Sequence, residues 1–98
     1  MTFSDLRFSV FSVQDHYPDG DRSARAYYDE TLENMVLAEK LGFETFWVAE
    51  HHFHEYGIIP NAAVFLAAAS QRTSTIGLGV AVSVLPFRNA ILTAEDYA

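Results

Sequence analysis

Cysteine is absent from the 98 residues. That excludes a disulfide framework, a thiolate nucleophile and any zinc site built on Cys, and it leaves the redox compartment undetermined. Basic side chains are scarce. Six Lys and Arg stand against thirteen Asp and Glu, a net charge of −7 that four protonated histidines would not reverse. A surface of that sign does not attract phosphate, which argues against nucleic-acid binding. No stretch approaches the roughly 20 apolar residues of a membrane span, and the opening MTFSDLRF lacks the basic-then-apolar build of a signal peptide. A soluble, cytoplasmic protein with no membrane partner is the expectation. With 50% hydrophobic and 19% charged residues, the chain is neither disordered nor of low complexity. Its length allows one small domain or part of a larger one.

The apolar residues change period along the chain. LRFSVFSV (6–13) is apolar on both faces, as expected of a strand covered on both sides in a parallel sheet. QDHYPDGDRS is a loop by composition. From Ser23, a ready N-cap, Tyr28, Leu32, Met35, Val36 and Leu41 fall at helical spacing, with Lys40 in the last turn and Gly42 at the left-handed cap position. ETFWVA (44–49) predicts a second strand with Phe46 and Val48 on one face and Trp47 and Ala49 on the other. Asn61 caps a second, alanine-rich helix. IGLGVAVSVL (76–85) predicts a third strand ended by Pro86, and RNAILTAEDYA begins a further helix. Strands recurring every 30–40 residues between helices are the pattern of parallel βαβ units. An open doubly wound sheet would usually carry a glycine-rich turn after its first strand, and QDHYPDGD has none. The expectation is therefore an α/β chain forming part of a (β/α)₈ TIM barrel, about three βα units. With no C-terminal cap in sight, residues 1–98 read as the N-terminal portion of a longer barrel domain.

Ligands of parallel α/β folds gather at the C-terminal ends of the strands. Those ends are Gln14–Asp15–His16–Tyr17, then Glu50–His51–His52–Phe53–His54–Glu55, then Ser83 to Arg88. The second concentrates three histidines and two carboxylates. It reads as solvated loop residues or a histidine satisfied by a buried carboxylate, as a metal site using His52 and His54 with Glu50 and help from His16 or Asp15, or as an acid–base site in which a histidine exchanges a proton near neutral pH. Composition does not choose between the last two. On the third strand Gly77, Gly79, Ala81 and Ser83 alternate with Leu78, Val80, Val82 and Val84, leaving one face almost without side chains. Such a face either receives a flat ligand or complements bulky neighbours such as Phe8 or Trp47.

WVAEHHFHEYGIIPN (47–61) followed by IGLGVAVSVLPFRNAILTAED (76–96) resembles the N-terminal third of the bacterial luciferase-like monooxygenases, and the likeness runs from FSVFSV to the end. The resemblance implies a (β/α)₈ barrel that binds reduced flavin, usually FMN, at the C-terminal mouth and reacts it with O2 and a small organic substrate. A separate flavin reductase would supply the reduced FMN. It also implies that His51, first histidine of EHH, is the catalytic histidine, that Ala49 lies near the flavin ring, and that a non-prolyl cis peptide falls at Ala81–Val82, against the ring. Glu50 is expected to orient His51, and Gly79, Ala81, Val82 and Ser83 to border the ring. His52, His54 and Glu55 are expected to be structural or rim residues, and no metal is implied. A deazaflavin-using branch is the alternative for the cofactor; the EHHF form tilts toward FMN. Two further readings remain, a metal-dependent barrel hydrolase using His52, His54 and His16, or a truncated chain inactive by itself. Substrate and oligomeric state stay open, a homo-oligomeric parent protein among the options.

Overall fold

A computed structural model describes residues 2–98. Three strands, β1 (Val10–Ser12), β2 (Thr45–Val48) and β3 (Gly77–Val80), alternate with α1 (Ala24–Lys40), α2 (Ala62–Ser70) and α3 (Ala90–Tyr97). The sheet order is β1-β2-β3 and both pairings are parallel, with Val10 beside Phe46 and Phe46 beside Leu78. Parallel neighbours require a crossover, and each is made by the helix between them.

α1 and α2 begin where the sequence predicts, and α1 also ends there. The Ser23 side chain accepts from Ala26 N–H, and Gly42 takes the left-handed conformation at φ 81° beyond α1, where a side chain would crowd the following carbonyl. Asn61 accepts from Val64 N–H at the head of α2. The core lies between the helices and one face of the sheet. Leu32, Met35 and Ala38 of α1 and Ala62, Leu66 and Ala69 of α2 close over Phe46 and Val48, with Val10, Leu78 and Val80 at its margin. The strand faces thus follow the predicted alternation. Leu41 does not join them and is exposed.

Strand lengths differ from the expectation. β1 occupies Val10–Ser12 within the predicted 6–13, although Glu44 N–H still reaches the carbonyl of Phe8 at 2.8 Å. β3 stops at Val80, five residues before the predicted end. There the chain leaves the sheet, and Leu85–Phe87 wind into a short 3₁₀ turn around Pro86. The alternation that suggested a longer strand continues through Val82 and Val84, but those residues cross the end of the sheet rather than extend it.

The opposite end is fastened by one carboxylate. Glu39 Oε2 accepts from the backbone N–H groups of Ser74, Thr75 and Ile76 at 2.8, 2.6 and 2.9 Å, joining the end of α1 to the start of β3. Those three bonds stabilise the anion and bring its pKa down from 4.5 to about 2.

Candidate active site

The C-terminal ends of all three strands converge on connections that bind one another. Asp15 and Gly57 form an isolated antiparallel bridge, and His16 N–H donates to the Tyr56 carbonyl at 2.7 Å. The segment after β1 therefore holds the segment after β2 in place. His51 is anchored within that second segment by its own N–H, which donates to the Ile59 carbonyl at 3.0 Å. Its imidazole lies directly on the backbone of Gly57, so close that a Cβ at 57 would stand 2.4 Å from the ring's Cγ. Only glycine leaves room there. The Tyr56 ring adjoins it at 5.6 Å between centroids. His51 Nε2 is buried and has no hydrogen-bond partner among the described residues. An unpaired polar atom so placed costs about 1–3 kcal/mol, and such a cost is commonly met at sites that act on a ligand.

Glu50 does not orient His51. Its fully buried carboxylate accepts from His52 Nε2 at 2.6 Å and from Arg88 Nε and Nη2 at 3.4 and 3.3 Å. The Glu50 oxygens are taken by His52 and Arg88, while the His51 ring lies against Gly57. Burial pushes the Glu50 carboxyl up, but the bonds from His52 and Arg88 and the charge of Arg88 outweigh it and hold the pKa below the usual carboxylate range. Arg88 also reaches Asn61 Oδ1 at 3.3 Å and Asp96 at 3.6 Å. Glu50 is thus a structural anion joining the ends of β2 and β3.

The bare face of β3 is only partly bare. Gly79 is register-paired with Trp47, whose ring bends over it: a Cβ at 79 would meet Trp47 Cε3 at 2.3 Å. Thr45 fills the corresponding space at Gly77, with its Oγ1 2.7 Å from a Cβ built there. At these two positions small residues complement bulky neighbours, and the expected ledge for a planar ligand is covered at Gly79. Beyond β3 the situation differs. The Ala81–Val82 peptide is cis, Ala49 is buried, and the hydroxyl of Ser83 is buried without a hydrogen-bond partner among the described residues.

The three histidines of the metal alternative do not meet. His16 Nε2 bonds the Arg22 carbonyl at 2.8 Å, His52 bonds Glu50, and exposed His54 accepts from Tyr56 N–H through Nδ1. No group of three His, Asp or Glu able to hold a metal occurs among the described residues. Gln14 is the residue that sequence reasoning passed over. It follows β1 in a left-handed conformation, φ 62°, and is completely buried. Its Oε1 accepts from the Thr31 hydroxyl at 3.3 Å, while its Nε2 has no partner. The signal was present in the sequence: an amide side chain just beyond the mouth end of the first strand. Among the described residues, Gln14, His51 and Ser83, one beyond each strand, are those whose buried side-chain atoms lack partners.

A (β/α) segment with this mouth has known relatives. The sequence model of the family described as luciferase-like monooxygenase matches residues 6–98. Limonene 1,2-monooxygenase of Rhodococcus erythropolis is 36% identical over 93 residues, which are 95% of this chain and 24% of that protein. The oxygenase component of the flavin-dependent trigonelline monooxygenase of Acinetobacter baylyi is 30% identical over 95% of this chain and 26% of its own length. Among solved structures, the oxygenating constituent of 3,6-diketocamphane monooxygenase from Pseudomonas putida, in complex with FMN, superposes with a TM-score of 0.83. That match is 24% identical and covers 93% of this chain and 24% of the other. The chain spans about a quarter of the length of the curated relatives named above. Its three parallel βα units are a portion of the TIM-type barrel to which they superpose, and the chain belongs to the luciferase-like monooxygenase family.

Proposed function

We propose that residues 1–98 are the N-terminal portion of a barrel oxygenase that uses reduced FMN and O2 to oxidise a small organic substrate. A separate flavin reductase would deliver the reduced FMN, in keeping with the description of one relative as an oxygenase component. The observation that carries this reading is the pair of buried, unpartnered polar atoms, His51 Nε2 and Ser83 Oγ, beyond adjacent parallel strands. Their chemistry fits a planar heterocycle rich in hydrogen-bonding groups. When bound, reduced flavin supplies the electrons with which dioxygen is activated.

In this reading His51 is the catalytic residue, holding or moving a proton at Nε2. Its ring orientation comes from Gly57 and Tyr56 rather than from a carboxylate. Ala49, Ala81 and Val82 form the side-chain-poor wall, and Ser83 contributes a hydroxyl. Gly79 acts one layer away by seating Trp47, and Glu50 by fixing the connections. Buried Ala49 would keep water from a flavin bound on its side of the mouth. Deazaflavin is the second cofactor considered; the FMN bound by the Pseudomonas relative favours the first.

The test is turnover by the full-length protein supplied with reduced FMN and O2. His51→Ala is expected to lower kcat/KM by about 10²-fold or more, within the range of lost acid–base catalysis. Undiminished turnover by that variant would overturn the assignment of His51, and binding of a deazaflavin in place of FMN would reassign the cofactor.

A further inference from the structure

The Glu50–Arg88 pair does more than neutralise a buried charge. Arg88 lies in the connection between β3 and α3, and Glu50 immediately follows the segment that leaves β2. Both side chains are largely out of water, Glu50 at 0% and Arg88 at 14% exposure. The guanidinium grips Glu50 through two nitrogens, reaches the Asn61 side chain that caps α2, and approaches Asp96 on α3. Glu50 thus bonds one side chain from each connection, His52 after β2 and Arg88 after β3. Through one carboxylate the chain joins the residue before His51 to Arg88, in the connection that also carries Ser83. The His52 ring, held by the same carboxylate, packs edge-on against Phe87 at 4.9 Å, a second contact between the same two connections.

We infer that Arg88 is a positioning residue: through the Glu50 carboxylate it locks the β3–α3 connection to the β2–α2 connection and so keeps His51 and Ser83 at one mouth. Removing the guanidinium leaves a buried anion with half its partners. The carboxylate then turns to water or draws in another donor, and either movement frees the β3–α3 connection and pulls on His51. Lysine keeps the charge but not the fork that spans two oxygens. The inference rests on the proposed function for the ligand at that mouth, whereas the mechanical coupling it asserts is measurable without one.

The experiment takes the full-length protein and its Arg88→Ala, Arg88→Lys, Glu50→Gln and Arg88→Ala/Glu50→Gln variants, with folding checked by circular dichroism and thermal melting. Diethyl pyrocarbonate labelling, located by mass spectrometry, reads the accessibility of His51, with exposed His54 as the internal reference. Quenching of FMN fluorescence reads affinity. Arg88→Ala and Glu50→Gln should each speed His51 labelling relative to His54 and weaken FMN binding by about tenfold, an ordinary coupling between contacting groups. The double variant should be no worse than the more severe single one, and Arg88→Lys should recover part of the loss. Folded variants with unchanged His51 labelling would overturn the inference, as would simple addition of the two effects. Should Arg88→Ala fail to fold, the near-isosteric Glu50→Gln decides alone. Failure of the unaltered protein to bind FMN would instead defeat the proposed function, and the labelling arm would still decide the role of Arg88.

Discussion

At the scale of single residues, two glycines are defined by aromatic rings lying on them. Gly57 lies beneath His51 and Gly79 beneath Trp47, each with no room for a Cβ. Gly57→Ala should therefore tilt the imidazole and reduce flavin-dependent turnover to about the level of His51→Ala, roughly 10²-fold down; steady-state assay of the two variants side by side checks this. Glu39 gives a second prediction, in pH. Its folded pKa of about 2 lies below the ordinary 4.5, so its contribution to stability is complete above 4.5 and fades as the pH falls toward 2. Glu39→Gln should melt below the unaltered chain at pH 7, and the gap should close near pH 2. The prominence of EHH was legible from the residues alone, because histidines gathered at a strand end are unusual. The pairing of Glu50 with Arg88 was not. Arg88 lies 38 residues away, and a contact so distant in sequence leaves no trace in local pattern.

At the scale of elements, helices were easier to read than strands. α1 carries its own boundary signals in Ser23 and Gly42, and α2 has Asn61. Strand ends carry no comparable marks. β3 continues its alternation after leaving the sheet, since Val82 and Val84 serve the mouth rather than the ladder. Two capping predictions belong here. Gly42→Ala places a Cβ at φ 81° and should cost about 1 kcal/mol, read as a lower urea midpoint with unchanged slope. Asn61→Ala removes both the cap of α2 and an Arg88 contact. It should cost more than the roughly 1 kcal/mol of a cap alone, and it should also weaken FMN binding, whereas Gly42→Ala should not.

At the scale of the whole molecule, the order of strands and the parallel pairing followed from the spacing of apolar segments, because a right-handed crossover admits few alternatives. The packing of the second sheet face did not follow. Phe11 and Trp47 point away from the helices and stay exposed, and Val82 and Leu85 are exposed at the mouth, a surface of the kind that associates when left uncovered. The 98-residue chain expressed by itself should therefore elute as an assembly on size exclusion and bind FMN weakly; a monomer loaded with flavin would contradict this. Trp47 adds a practical consequence. It is the chain's single tryptophan, and it rests on the strand that leads directly into the cis bond and Ser83. Nature has placed an indole beside the proposed cofactor seat, so the protein carries its own lamp: ultraviolet emission from that ring should dim as a yellow ligand settles nearby.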